Sequence, residues 1–135
     1  MSTIVNIWEK LTAADILIDQ TRCAKVRNRH SSCTRCAEAC TTGCISYFDN
    51  ELIIEPEKCI GCATCSTACP TDALLPKSLP DVELHRRCIA AGQANDGRIT
   101  VACQRIAHDA DGLFDPAKVV VVPCLGRVDE TLAVH

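Results

Sequence analysis

Apolar residues in the first half of the chain come in short runs, each too brief for a helix of several turns. The segment "ISYFDNELIIEP" (residues 45–56) has two such runs around Asp49 and Asn50, and it predicts a β-hairpin that turns at these two residues. Residues 15–19 predict a short strand that pairs with residues 73–76. Between the strands, "TRCAEAC" and "TCSTACP" each predict one or two helical turns. This half therefore combines short strands with short helices.

The second half has a longer-range pattern. The stretch "DVELHRRCIAAGQ" predicts a helix that starts at Ser78 or Pro80 and ends at "NDG". The stretches "RITVAC" and "KVVVVPC" predict two strands, the second purely apolar and typical of a strand buried in a parallel sheet. Since a short crossover helix fits between them, residues 98–135 predict a small βαβ unit. An amphipathic helix is also predicted for residues 1–15, with an apolar face of Ile4, Ile7, Trp8 and Leu11.

The composition indicates that the fold needs more than apolar packing. The 135 residues include 12 cysteines but only four aromatic side chains, so disulfides or metal sites must support a weak core. The N-terminal segment predicts neither a signal peptide nor a membrane span, because charged residues interrupt it. We therefore expect a cytoplasmic protein with reduced thiols, and metal sites rather than disulfides. The net charge of −3 gives no indication of nucleic-acid binding.

A closely spaced set of cysteines follows the predicted hairpin. The stretch "KCIGCATCSTACPTDAL" reads Cys59-x2-Cys62-x2-Cys65-x3-Cys69-Pro70. Zinc sites usually pair their ligands as separated C-x2-C units or combine them with His. Three close cysteines and a fourth followed by Pro are instead the bacterial ferredoxin arrangement for a [4Fe–4S] cluster. We therefore expect iron–sulfur clusters, with zinc or disulfides as the less favoured alternatives.

The first half repeats this pattern with one interruption. "ILIDQTRC" parallels "LIIEPEKC", and "CTRCAEAC" (residues 33–40) parallels "CATCSTAC" (residues 62–69). Seven extra residues, "AKVRNRH" (24–30, called the insertion below), follow Cys23. Cys23 therefore corresponds to Cys59 as the first ligand of its half.

A fifth cysteine of the first half has no ligand role in this alignment. Cys44 falls where the second half has Ala73, so we predict that it binds no iron. Two alternatives remain open. His30 could replace Cys23, because His30-x2-Cys33 keeps the short spacing, or Cys44 could be a ligand with Cys23 as a structural thiol.

Over residues 16–76, under half of the chain, the two halves resemble the two-cluster bacterial ferredoxin family. The chain departs from that family at the insertion and at Thr41, where a Pro that shapes the turn and binds no iron is usual. The resemblance implies an α+β, pseudo-twofold domain in which each fourth cysteine serves the other half's cluster. The cluster 1 thiols are then Cys23, Cys33, Cys36 and Cys69, and the cluster 2 thiols are Cys59, Cys62, Cys65 and Cys40. Five apolar residues are expected to pack around the clusters: Ile45, Leu52, Ile54, Ile60 and Leu74.

The insertion is strongly basic, with Lys25, Arg27, Arg29 and His30 among its seven residues. It could be a solvated loop whose charge balances an acidic body. It could also steer an acidic redox partner toward cluster 1. The sequence leaves both interpretations open.

Cysteines also end both strands of the predicted βαβ unit. Cys103 and Cys124 would lie at the sheet edge where α/β proteins bind ligands, and Arg127 in "PCLGR" would lower the pKa of Cys124. These thiols are either small buried residues or a second redox site, as a dithiol or as an iron–sulfur centre with Cys88 or Cys44. "TVACQRI" and "VVVVPCLGRVDE" weakly resemble the iron–sulfur delta subunit of hydrogenase–heterodisulfide reductase complexes. That resemblance implies that the protein works within a larger complex, and it implies no particular cofactor.

The expected function is one-electron transfer through two [4Fe–4S] clusters, as a carrier or as a subunit of a cytoplasmic oxidoreductase. The partner would be a redox protein or a larger complex. No Gly-rich phosphate loop and no Ser/His/Asp arrangement appears, so we expect no catalytic residues. The alternatives are an accessory or maturation subunit of a formate dehydrogenase/hydrogenase-type complex, or a thiol–disulfide redox protein using Cys103 and Cys124. The predicted organisation has four parts: an N-terminal helix (1–15), a ferredoxin-type domain (16–76), a linker and helix (77–97) and an α/β appendage (98–135). The predicted fold class is therefore an α+β domain followed by a small α/β unit.

Overall fold

The computed structural model describes residues 15–133, so the predicted N-terminal helix lies outside the described residues. The chain divides into two compact units, of which the first ends at Lys77 and the second begins at Ser78. Short helices and short strands alternate along it, in agreement with the α+β class. Within residues 15–133, no helix has the length and apolar character needed to cross a membrane.

Two small antiparallel sheets form the frame of the first unit. Strand β1 (Ile16–Ile18) pairs with β4 (Leu74–Pro76), and β2 (Ile45–Phe48) pairs with β3 (Glu51–Ile54), which confirms both predicted pairings. Asp49 and Asn50 connect β2 to β3 with φ angles of 48° and 61°. A two-residue hairpin turn needs such angles, and Asp and Asn adopt them more readily than other residues with side chains. Gln20 joins the sheets, because its amide donates to the Leu52 carbonyl (2.8 Å) and accepts from the Leu52 N–H (3.0 Å).

Three short helices lie between these strands: α1 (Ala24–Arg27), α2 (Arg35–Ala39) and α3 (Thr64–Ala68). The sequence predicted α2 and α3, whereas the insertion that forms α1 was expected to be a loop. Two contacts hold α1 in place. Val26 packs against the core of the unit, and the Asn50 side chain donates a hydrogen bond to the Val26 carbonyl at 3.2 Å. The insertion is therefore attached to the β2–β3 turn.

Thiols make up much of the core of the first unit. Leu52 and Leu74 are its largest fully buried side chains. The remaining buried residues of this core are Ile16, Cys23, Cys36, Cys44, Ile45, Ala63, Cys65 and Ala73. Ile60 is 68% exposed, so the prediction that it packs around the clusters is wrong. It lies in the loop that follows Cys59, outside the paired strands whose alternation buries the other aliphatic residues.

The second unit is a helix packed on a two-stranded sheet. Its elements are α4 (Asp81–Ala94), β5 (Thr100–Cys103), α5 (Gln104–Asp109), β6 (Val119–Val122), a 3₁₀ turn (Leu125–Arg127) and α6 (Glu130–Ala133). Strands β5 and β6 are parallel with α5 between them, which confirms the βαβ prediction. Leu84 and Cys88 of α4 share one core with Val120 and Val122 of β6. Only alternate residues of β6 are fully buried, so the sheet is covered on one face and not on both as expected.

A charged side chain also lies inside the second unit. Arg127 is only 4% exposed, and its guanidinium donates to the carboxylate of Asp81 in the first turn of α4. An acidic residue in the first turn also interacts favourably with the helix dipole. This ion pair therefore ties the turn after β6 to the start of α4.

Candidate iron–sulfur site

Four thiols from distant parts of the first unit line a single cavity. Cys23 directly precedes α1, Cys33 lies in the loop before α2, Cys36 lies within α2, and Cys69 directly follows α3. These are the four cluster 1 thiols, and Cys69 comes from the other half of the internal repeat. The fold thus brings one cysteine of the second half to three of the first.

The cavity has a donor set and a wall that suit an iron–sulfur cluster. Leu52, Ala73 and Leu74 line it together with the thiols, so soft sulfur ligands face an apolar surround. Within residues 15–133, no three His, Cys, Asp or Glu side chains converge closely enough to hold one metal ion. Ligands of a cluster bind different irons and stand further apart than ligands of one ion. The donor set and the apolar lining of the cavity are compatible with a cluster.

Two of the thiols predicted for cluster 2, Cys59 and Cys62, are close enough to a third, Cys65, to influence its ionisation. Burial raises the pKa of Cys65 to about 12, and negative charge on Cys62 and Cys59 acts in the same direction. Charge on Cys59 also raises the pKa of Cys44, which in turn contacts Cys40. Cys44, the neighbour of the fourth cysteine of the first half, is therefore within electrostatic range of the first cysteine of the second half.

Cys40 and Cys44 form a close pair in which the two thiols differ. Their sulfur atoms are 3.4 Å apart. Burial acts to raise the pKa of Cys40, but hydrogen bonds from Thr42 and Cys44 lower it to about 7. Burial, followed by the contact with Cys40, raises the pKa of Cys44 to about 11.

The fourth cysteines of both halves have equivalent hydrogen-bond partners. Cys69 accepts a bond from the Ala73 N–H at 3.3 Å, and its sulfur lies 3.7 Å from the Thr71 hydroxyl. Cys40 also has the backbone N–H four residues later and a hydroxyl two residues later, that of Thr42 at 3.5 Å. Donors to a ligating sulfur stabilise its negative charge and tune the metal centre. The two halves therefore support their fourth thiols in the same way.

Left-handed backbone conformations occur beside the cysteines. Gly43 and Asp72, each three residues after a fourth cysteine, have φ angles of 65° and 51°. Ala63, between Cys62 and α3, has φ of 59° although it carries a side chain and is 2% exposed. Such strain persists only where the surroundings enforce it, and it clusters at ligand sites. The loop of Cys62 and Cys65 is therefore held in a conformation that the sequence alone would not favour.

Tyr47 is a site residue that sequence reasoning missed. Its hydroxyl lies 3.5 Å from the Cys36 sulfur, and its ring lines the cavity of the cluster 1 thiols. Burial and the negative charge of Cys36 raise the pKa of Tyr47, so its hydroxyl keeps its proton and can donate. Lys25 of α1 lies over the same ring at 4.1 Å from the centroid. The one signal in the sequence was that Tyr47 is the single tyrosine of the chain.

The structure distinguishes Cys23 from its alternative, His30. Cys23 is buried and lines the cavity with Cys33, whereas His30 is exposed and does not line it. The His30 ring accepts a hydrogen bond from Arg29 at 3.5 Å. His30 and Cys33 do border one shallow surface depression on the outside of the unit.

Two cysteines of the second unit lie at or just after the carboxyl ends of its two parallel strands. Cys103 is opposite Val122 in the parallel register, and Cys124 directly precedes the 3₁₀ turn. Cys88 is buried within α4, and all twelve cysteines of the chain are free. The guanidinium of Arg127, which was expected to act on Cys124, forms an ion pair with Asp81.

Comparisons with known proteins identify the chemistry of this region. Residues 52–75 match the family model described as a 4Fe-4S binding domain. The chain is 42% identical to Ferredoxin-1 of Caulobacter vibrioides over 41 residues, which are 30% of this chain and 36% of that protein. It is 38% identical to a ferredoxin of Rickettsia felis over 45 residues, 33% of this chain and 41% of that one. The chain therefore contains a ferredoxin-type iron–sulfur domain suited to electron transfer.

A third relative is much longer than this chain. AegA of Escherichia coli, provisionally named an oxidoreductase, is 34% identical over 55 residues, 41% of this chain and 8% of AegA. In each of these comparisons the chain spans less than half the length of its relative. No solved structure matches.

Proposed function

We propose that the chain transfers electrons one at a time through two [4Fe–4S] clusters held by a domain of residues 16–76. Cluster 1 is held by Cys23, Cys33, Cys36 and Cys69, and cluster 2 by Cys59, Cys62, Cys65 and Cys40. The cavity lined by all four cluster 1 thiols carries this proposal. A domain with one cluster, built on the 59–69 motif alone, would give Cys69 no reason to face Cys23 and Cys36.

The proposal includes a pseudo-twofold relation between the halves. It is supported by β1, which belongs to the first half and pairs with β4 of the second. It is also supported by the equivalent donors to Cys40 and Cys69, and by the left-handed residues Gly43 and Asp72 at matching positions. Under this relation Cys44 matches Ala73 and holds no iron.

Each cluster, when bound, supplies a centre that accepts and releases one electron. The chain itself supplies eight thiolates, the donors that stabilise charge on the sulfurs, and an apolar surround. The Ala73 N–H and the Tyr47 hydroxyl act on cluster 1 thiols, and Thr42 acts on Cys40. Leu52 and Leu74, both buried, exclude water from the cluster 1 cavity.

Iron and sulfide analysis of anaerobically reconstituted protein tests this function. We expect about eight iron and eight sulfide per chain. Cys69→Ala removes the ligand contributed by the second half, and it should degrade cluster 1 and leave the four iron of cluster 2. Cys88→Ala is the matched control, since it removes a buried thiol of the second unit, and it should keep all eight. A wild-type content of four iron, or equal loss in both variants, would contradict the proposal.

A second candidate function is that of a subunit of a larger oxidoreductase. The chain would then be an electron-transfer subunit, or an accessory or maturation subunit of a formate dehydrogenase/hydrogenase-type complex. It is favoured by AegA, a long protein of provisional oxidoreductase name in which the aligned segment is a small part. The second unit, with its own core, would then be the attachment domain. Anaerobic affinity purification of the chain from its native cells would recover a stoichiometric partner in this case and not for a free carrier. A thiol–disulfide function of Cys103 and Cys124 would instead appear as disulfide reduction by the isolated chain.

A further inference from the structure

The segment from Arg22 to Arg35 carries five basic residues and no acidic one. It contains the insertion and two of the cluster 1 thiols, Cys23 and Cys33. Within a chain of net charge −3, this is a local reversal of sign. The structure shows how the segment is arranged and which of its charges are available.

The backbone of the insertion is fixed. Val26 is anchored in the core and by Asn50, and Lys25 is held over the Tyr47 ring. After α1 the chain turns at Asn28, whose side chain accepts from the His30 N–H at 3.0 Å and whose carbonyl accepts from the Ser31 N–H at 2.9 Å. The residues on either side of this turn are therefore presented from a defined surface.

Three arginines on this surface keep their charges available. Arg27, Arg29 and Arg35 are exposed, and within residues 15–133 none of them forms an ion pair with an acidic side chain. Arg22 differs, because it is paired with Asp19 at 3.3 Å. We call Arg27, Arg29 and Arg35 the basic surface.

Some acidic groups lie nearby, but they do not neutralise the basic surface. Glu38 borders the same depression and is bonded to the Thr34 hydroxyl. Asp49 and Glu51 flank Asn50, which binds the insertion, and both are exposed. No ion pair joins any of these three acids to the basic surface among the residues described.

Two arginines of the basic surface, Arg35 and Arg27, border depressions beside a partly exposed thiol of the proposed cluster 1. Cys33 is partly exposed and borders a shallow depression together with Ser32 and Arg35. A neighbouring depression, which shares Ala24 and Ser31 with the first, is bordered by Arg27. An electron that leaves cluster 1 by way of Cys33 would therefore cross a positively charged part of the protein surface.

We propose that the basic surface docks an acidic redox partner protein, and that cluster 1 is the cluster that exchanges electrons with it. The inference rests on the proposed two-cluster function and adds the site and the charge of the partner. Charge complementarity carries it, since fixed, unpaired arginines around an accessible ligand attract anionic partners and raise their encounter rate by about 10- to 1000-fold at low salt. This advantage falls as salt screens the charges.

Oxidation kinetics with small oxidants of opposite charge test this. Reduced, cluster-loaded protein is mixed in a stopped-flow instrument with tris(oxalato)cobaltate(III), a trianion, or hexaamminecobalt(III), a trication. Arg27→Glu/Arg29→Glu should slow the anionic oxidant by about tenfold or more at low salt and speed the cationic one. The control Arg105→Glu/Lys118→Glu makes the same net charge change on exposed residues of the second unit, and it should alter both rates less than Arg27→Glu/Arg29→Glu does.

A short poly-L-glutamate serves as the acidic macromolecule in a binding titration. It should bind wild type and the control with a salt-dependent affinity and bind Arg27→Glu/Arg29→Glu at least tenfold more weakly. Equal slowing in both double variants, or no loss of poly-L-glutamate binding, would overturn the docking site. Loaded protein with charge-independent rates would overturn this inference alone. An iron count without cluster 1 would overturn the proposed function and this inference together.

Discussion

The hydroxyl of Tyr47 can be removed to change one of the two proposed clusters and not the other. Tyr47→Phe removes the donor that lies 3.5 Å from the Cys36 sulfur and leaves the ring that Lys25 covers. The matching position in the other half is Pro76, which has no hydroxyl. The substitution should therefore act on cluster 1 and leave cluster 2 unchanged.

The size and sign of the effect follow from the charge on the sulfur. A hydrogen bond to a charged group contributes about 1.5–3 kcal/mol, and at this length we take about 1 kcal/mol as the part that grows on reduction. For one electron this corresponds to about 40 mV. Because the reduced cluster is the more negative, the bond favours reduction. Tyr47→Phe should therefore lower the reduction potential of cluster 1 by about 40 mV.

Protein-film voltammetry or a potentiometric titration followed by electron paramagnetic resonance measures both potentials in the same sample. Phe48→Leu is the matched control, because Phe48 is the next residue of β2 and is 75% exposed. It should leave both potentials unchanged. A rise in the cluster 1 potential, an unchanged one, or an equal shift of both clusters in Tyr47→Phe would refute the hydrogen-bond argument.

Three further outcomes are expected. Cys44→Ala should keep both clusters and lower the free energy of unfolding by about 1 kcal/mol, because it removes one buried sulfur. Cys23→Ala should degrade cluster 1. Iron content measures both outcomes, and the reverse result would falsify the repeat alignment. Iron removal by a chelator should unfold the first unit, seen as lost circular dichroism, because the clusters take the place of a core; retained structure would count against this. In loaded protein, Cys103 and Cys124 should react with a thiol reagent about tenfold faster than buried Cys88, and equal, slow labelling would leave the second unit as a docking unit only.

Local sequence signals predicted much of the first unit. The β2–β3 hairpin depends on two adjacent residues, Asp49 and Asn50, whose conformational preferences are local. The helical turns α2 and α3 follow from cysteines spaced three and four apart, which share a helix face. The internal repeat aligned Cys23 with Cys59, and the resemblance to two-cluster ferredoxins added Cys69 to the predicted cluster 1 thiols. These features needed no knowledge of distant neighbours.

The features that the sequence did not predict depend on contacts between distant residues. Tyr47 meets Cys36 across 11 positions, and Gln20 meets Leu52 across 32. Arg127 meets Asp81 across 46 positions, so "PCLGR" indicated a charge but not where it would be directed. A pattern along the chain shows which residues are apolar or charged, but it cannot show which distant partner the fold supplies.

The length of the insertion bears on the order in which the two proposed clusters would assemble. Cys33 lies ten positions after Cys23, whereas Cys62 lies three positions after Cys59. Closing the longer loop costs about 1 kcal/mol more in chain entropy, because the cost grows with the logarithm of loop length. Docking of α1 offsets that entropy only once the β2–β3 turn has formed, because Asn50 of that turn binds the insertion. If the chain holds the two proposed clusters, we therefore expect cluster 2 to close first, so that protein loaded with limiting iron should be enriched in a form that lacks cluster 1.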